Sequence, residues 1–246
     1  MTTRDKSGVN TPVVTGKAEA PASQASEIDA FIATVRSKVP AAHGEGRGRL
    51  LFAMDATMSR QPTWDRALSI QSEMFNETAR IGGLDVQLVY FRGFGECKAS
   101  PWVGNPAALS RLMTRVECRG GYTQIGKVLA HVRREAGKGR INAVVYVGDA
   151  FEEGIDEICR TAGEIGLLGV PFFMFLEGRD ALAERAFREI ARLTHGAFLR
   201  LDGDSAQQLR DLLAAVAVYA AGGQKALKDY ADARGGQSGL LLQQLR

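Results

Sequence analysis

The sequence predicts an α/β fold, a mostly parallel sheet with helices on both faces and one short antiparallel edge strand, on three observations. From Arg49 to Ala221, strand-like apolar runs alternate with segments of helical period, and such alternation implies parallel strands joined by right-handed crossovers. Two of the runs, Leu50–Met54 (LLFAM) and Ile141–Val147 (INAVVYV), read as strands covered on both sides. The composition, 45% apolar and 24% charged over 246 residues, is that of a soluble globular chain with one domain of ordinary size and tails.

Taken in order, residues 1–25 are rich in Ser, Thr, Ala, Pro and Gly and carry too little apolar surface to offset the entropy of ordering, so a disordered tail is expected. Residues 26–47 follow as a short helix and a Gly-rich linker: Ser26 can cap the helix, and Ile28, Phe31, Ile32 and Val35 fall on one face. The domain proper is expected over 48–222. After LLFAM, Pro62 opens a helix that runs through Ile81 to Gly82–Gly83. Asp85–Phe91 is a strand, and after the Gly93–Gly95 turn a short edge strand near Glu96–Ala99 pairs back antiparallel. Helices follow at Pro106–Val116 and from Thr123 to Ala136, then the INAVVYV strand. The remaining units are a helix at Ile155–Leu167, a strand at Val170–Leu176, a helix at Ala181–Leu193, a strand at Ala197–Leu201 and a helix at Ser205–Ala221. Residues 223–246 read as a polar tail with a leucine-rich tip, Leu240, Leu241, Leu242 and Leu245.

Several function classes drop out early. Thirty-one Lys and Arg against 28 Asp and Glu leave a charge of +3 without a basic block for nucleic acid. The uncharged stretch Leu212–Gln224 is short of the roughly 20 apolar residues a membrane span needs. The N-terminus lacks the continuous apolar core of a secretory signal, so a cytoplasmic location is expected. Cys97, Cys118 and Cys159 have neither even number nor CxxC spacing and read as reduced thiols. No two of His43, His131 and His195 have metal-ligand spacing, and neither a phosphate-binding GxxxxGK[ST] nor a GxGxxG between strand and helix is present.

In open α/β sheets ligands bind beyond the carboxyl ends of the strands, where strand order reverses. After LLFAM stands Asp55-Ala56-Thr57-Met58-Ser59, one carboxylate and two hydroxyls at alternate positions, and after INAVVYV stands Gly148-Asp149. Between them, Gly120-Gly121-Tyr122-Thr123 places a further hydroxyl at the start of a helix. Two acids and three hydroxyls are hard oxygen donors of the kind that hold magnesium. With only Asp55 and Asp149 charged, a bound ion stays electrophilic and open to a carboxylate from a partner.

At these residues the chain resembles the von Willebrand factor A family, whose metal-ion-dependent adhesion site reads DxSxS, then a distant Thr, then a distant Asp. Asp55-Ala56-Thr57-Met58-Ser59 fits with Thr for the first Ser, GGYTQIG supplies Thr123 and VVYVGD supplies Asp149. The resemblance covers about residues 48–222 and implies a three-layer, six-stranded Rossmann-like domain. It also implies bound Mg²⁺ or Mn²⁺, a protein partner that presents an acidic residue, and, as in bacterial intracellular members, an AAA+ ATPase complex as partner. Catalysis is not expected, since no general base or activated nucleophile accompanies the site. Two other readings stand beside this adaptor. One is a magnesium-dependent phosphoryl hydrolase, although Thr57 stands where that chemistry wants a second Asp; the other is an assembly protein with an idle metal site.

Secondary surfaces remain open in sequence. The Ile28/Phe31/Ile32/Val35 helix covers a flank of the domain or docks on a partner, and the leucine tip needs cover from somewhere. Trp102, in an expected loop over Lys98–Asn105, either anchors to the body or meets a partner. Glu152 and Glu153 either lie near the metal rim or, in the preferred reading, are acids in the first turn of the helix that follows them.

Overall fold

A computed structural model describes residues 46–201, 206–234 and 236–245. The tail of 1–25 and the helix bearing Ile28, Phe31, Ile32 and Val35 lie outside the described residues. Strands β1 (Gly48–Asp55), β2 (Leu84–Arg92), β3 (Glu96–Val103), β4 (Ala143–Gly148), β5 (Phe172–Glu177) and β6 (Ala197–Leu201) form one sheet in the order β3-β2-β1-β4-β5-β6. β3 runs antiparallel to β2, and the other four pairings are parallel. The chain steps from β1 outward to β2 and β3, then returns to the other side of β1 as β4. The switch point therefore lies between β1 and β4.

Helices α1 (Gln61–Ile70), α2 (Ser72–Thr78), α3 (Pro106–Met113), α4 (Ile125–Lys138), α5 (Ile155–Leu167), α6 (Ala181–Leu193), α7 (Ala206–Arg234) and α8 (Gln237–Gln244) cover the sheet. The period-two geometry of β1 sends Leu50, Phe52 and Met54 to one face and Leu51 and Ala53 to the other, all buried. The first set packs with Trp64 of α1, Met74 of α2, Leu109 of α3 and Leu212 and Val216 of α7. The second packs with Val128 and Val132 of α4, Ile158 and Ile165 of α5 and Phe187 and Ile190 of α6. Burial on both faces is why the central strands read as unbroken apolar runs.

Beyond shifts of two or three residues at element ends, three parts of the fold depart from the sequence expectation. The helix expected from Pro62 to Ile81 is a 3-10 turn at Met58–Arg60 followed by α1 and α2, and it ends at Thr78. The edge strand β3 continues through Trp102, where a loop is expected. Pro101 has no N–H for the ladder, and the register shifts beside it while Leu88 N–H donates to the Ser100 hydroxyl at 3.0 Å, so a bulge carries the strand past the proline.

The third departure corrects the tail. Gly223, at φ 71 and ψ −165, breaks the helical backbone where the glycine pair is expected to end it, a conformation only glycine takes readily, and a second helical arm follows within α7. The second arm of α7 buries Leu227, and α8 then returns Leu241 and Leu245 to the same core as Leu50. Leu242 packs partly buried against it, and only Leu240 is exposed. The cover that the leucine tip needs comes for Leu241 and Leu245 from their own domain, because the segment after Gly223 is helical as far as Arg234 and packs on the core.

Candidate metal site

β1 delivers Asp55 at the switch point, buried, and its Oδ1 accepts the Thr57 N–H at 2.7 Å. That short turn leaves Thr57 extended (φ −73, ψ 163) before the Met58–Arg60 turn, which brings Thr57 Oγ1 and Ser59 Oγ to 3.3 Å. Ser59 Oγ in turn donates to Asp149 Oδ2, just beyond β4, at 3.1 Å.

Thr123 arrives by close backbone packing. Tyr122 N–H donates to the Gly93 carbonyl at 3.2 Å, and a Cβ on Gly121 would lie 2.2 Å from that same carbonyl oxygen, so the loop reaches the site only with glycine at this position. Thr123 and Glu152 then exchange two bonds: Thr123 N–H to Glu152 Oε2 at 2.9 Å, and Glu152 N–H to Thr123 Oγ1 at 3.0 Å. Asp55, Thr57, Ser59, Thr123 and Asp149 all line one open cleft, together with Met58, Gly120, Gly121, Ala150 and Glu152.

Glu152 and Glu153 do not sit in the first turn of α5. Glu153 accepts from the N–H groups of Ile125 and Gly126, the latter at 2.9 Å, at the N-terminus of α4, an acid borrowed from the loop after β4 to satisfy orphan donors across the cleft.

Burial dominates the Asp55 carboxyl and raises it from 3.8 to about 6, against the lowering effect of the Thr57 bonds. Such a carboxylate lacks a strong cationic partner. Asp149 has one: Arg60 Nη2 stands 3.0 Å from its Oδ2. Sequence reasoning missed Arg60 and the residues behind it, Thr63, Arg66 and Glu177, since an arginine in a helical turn and an acid at a strand end carry no motif. Among the described residues no group of three or more His, Cys, Asp or Glu gathers into a metal-binding cluster. The donor set is instead two carboxylates and three hydroxyls, which fits a hard divalent ion such as Mg²⁺ and leaves a thiophilic one poorly served.

Trp102 lies half-buried with the Arg49 guanidinium 4.0 Å over its ring, anchored to the body. His131 bonds the Gln87 side chain at 2.8 Å within the wall. Burial raises the Cys97 and Cys118 thiols to about 11, so neither is a ready nucleophile. No helix among the described residues is long and apolar enough to cross a membrane.

No family model and no curated protein sequence matches the chain. Solved structures do. A von Willebrand factor type A protein from Catenulispora acidiphila superposes with TM-score 0.56 at 16% identity over 72% of this chain, which spans 43% of that protein. The SpRpn10 VWA domain superposes with TM-score 0.54 at 14% identity over 68% of this chain and 94% of that domain. Proximal thread matrix protein 1 from the mussel byssus gives TM-score 0.53 at 17% identity over 70% of this chain and 46% of that one. With the strand order, the antiparallel edge strand and the switch-point cleft, these likenesses assign the chain the von Willebrand factor A fold.

Proposed function

We propose that this chain is a metal-dependent protein-interaction module, with Mg²⁺ or Mn²⁺ held by Asp55, Thr57, Ser59, Thr123 and Asp149 and with an acidic side chain of the partner as the last ligand. The observation that carries this reading is the convergence of all five residues, drawn from three separate loops, on one cleft at the switch point. When bound, the ion supplies an electrophilic point that a carboxylate can complete. The chain's own groups hold it: Asp55 and Asp149 give charge, and the three hydroxyls give neutral oxygen.

The rim supports a macromolecular partner. Met58, Phe94 and Tyr122 are 65%, 84% and 58% exposed, and the Phe94 and Tyr122 rings meet edge to face at 5.3 Å. Large apolar side chains held at the mouth of a polar cleft are the composition of a binding hot spot with an anchoring polar contact. We place the module in a cytoplasmic assembly, with an AAA+ ATPase complex as the first partner class to try. Neither the phosphoryl hydrolase nor the assembly protein with an idle site gains an observation: Thr57 leaves the hydrolase without its second acid, and Leu241 and Leu245 of the leucine tip are already buried in their own domain.

Calorimetric titration with Mg²⁺ and Mn²⁺ tests the reading. Wild type should give saturable heats that Asp55→Ala abolishes, and equal heats from the two proteins would refute it. Pull-downs with wild-type and Asp149→Ala baits, each with metal and with chelator, then test whether partner capture follows the site.

A further inference from the structure

Beside the cleft lies an ionic arrangement that the proposed function does not use. Glu177 ends β5, whose Leu176 pairs with Gly148 of β4, so the carboxylates of Glu177 and Asp149 emerge from neighbouring strands at the same sheet edge. Arg60 stands between them. Its Nη1 is 2.7 Å from Glu177 Oε2 and its Nη2 is 3.0 Å from Asp149 Oδ2, with the side chain only 12% exposed. Glu177 is held in turn by Arg66 at 2.6 Å and by the Thr63 hydroxyl. Arg60 Nε is buried and has no hydrogen-bond partner, so the guanidinium is fixed through its terminal nitrogens.

The Asp149 oxygen that Arg60 engages is also the one that accepts from Ser59. It therefore faces the donor cluster, and a divalent ion drawing on Asp149 meets a guanidinium already there. Two cations cannot share one partly buried oxygen without strong repulsion. Glu177 gives the guanidinium a second anchor, so Arg60 can leave Asp149 without becoming a buried unpaired charge.

We propose that Arg60 is a resident counter-cation of Asp149 that competes with the metal, and that Glu177 is the holding point to which it withdraws when metal enters. Arg60 is thus a positioning residue that sets the affinity of the site. The inference rests on the metal reading above. Without metal, Arg60 neutralises Asp149; with metal, Nη2 gives up Asp149 while Nη1 stays on Glu177. The site binds its ion more weakly than its donors alone would allow, and Glu177, which touches no candidate ligand except through Arg60, controls how much more weakly.

The test is a double-mutant cycle read by calorimetric titration with MnCl₂ and MgCl₂, with thermal unfolding in chelator as a control for folding. Arg60→Met should tighten metal binding about tenfold, and Glu177→Gln, which leaves Arg60 only Asp149 to pair with, should weaken it. In the Arg60→Met background, Glu177→Gln should change affinity little. Unchanged or weaker binding by Arg60→Met would overturn the role of Arg60 while leaving the metal site intact. Equal effects of Glu177→Gln in both backgrounds would also overturn it, because diffuse charge and not contact through Arg60 would then be the cause. No heat from wild type and Arg60→Met alike would end the metal reading itself and this inference with it. Should Arg60→Met unfold at working temperature, Arg60→Gln, which removes the charge and keeps a polar contact with Glu177, gives the same readout.

Discussion

The side-chain amide of Gln244 pairs with both backbone groups of Phe198: Phe198 N–H donates to Gln244 Oε1 at 2.9 Å, and Gln244 Nε2 donates to the Phe198 carbonyl at 3.0 Å. β6 is an edge strand, and α8 thereby occupies a position on which a foreign strand could otherwise pair. Deleting residues 236–246 removes this cover and the buried Leu241 and Leu245, at a cost of roughly 3 to 6 kcal/mol. The shortened chain should melt on the order of 10 °C lower and show concentration-dependent association by light scattering. A truncated protein that stays monomeric and melts as wild type does would contradict this role for the tail.

Asp55 makes the metal-free protein sensitive to acid in an unusual direction. Its carboxyl is raised from 3.8 to about 6 by burial, so between those values the folded chain binds more protons than the unfolded one, and stability falls as pH rises through that window. The displacement corresponds to at most about 3 kcal/mol. In chelator, unfolding midpoints measured from pH 4 to pH 7 should fall by several degrees more for wild type than for Asp55→Asn. Saturating Mg²⁺ should remove that difference, and metal affinity should drop below about pH 6 as protons compete for the same oxygens.

Glu153 ties the loop after β4 to the start of α4 through the amides of Ile125 and Gly126. Glu153→Ala should cost about 1 to 2 kcal/mol by denaturant unfolding. Because Thr123 lies two residues before Ile125, metal affinity should fall as well, although Glu153 itself is outside the donor set. A loss of stability with unchanged affinity would show that the Thr123 loop is held by Glu152 and Gly93 alone.

Phe94 and Tyr122 project from two loops that touch at Gly93 and Gly121. Replacing both with Ser should leave the melting temperature and the metal titration within error, since both side chains are exposed, and should weaken partner capture in the pull-down at least about tenfold. Capture that survives the double change but is lost in Asp149→Ala would confine recognition to the metal.

Much of this was legible because it obeys short-range rules. α5, α6 and β6 begin and end where the alternation of apolar strand and helical segments placed them, at Ile155–Leu167, Ala181–Leu193 and Ala197–Leu201. Asp55, Thr57, Ser59, Thr123 and Asp149 could be assembled because strand ends of a parallel sheet share one edge, so topology converts sequence distance into proximity. What escaped depends on contacts far apart in sequence. Nothing beside Glu177 announces that Arg60, 117 residues away, will lie across it, and Glu153 caps a helix 28 residues earlier instead of its own. The tail escaped for a similar reason: the helical backbone does break at the glycine pair, but the burial of Leu227, Leu241 and Leu245 that follows depends on packing against strands far earlier in the chain.

The parallel strands all run toward the cleft, which fixes where the described backbone enters and leaves. Gly48 opens β1 at the far edge of the sheet, against Ala220 and Ala221, and α8 finishes beside Phe198, near the first residue of β6. Entry and exit thus share the edge remote from Asp55 and Asp149. The mouth of the cleft is therefore clear of both ends of the described backbone, and Met58, Tyr122 and Phe94 stand around it without either end beside them.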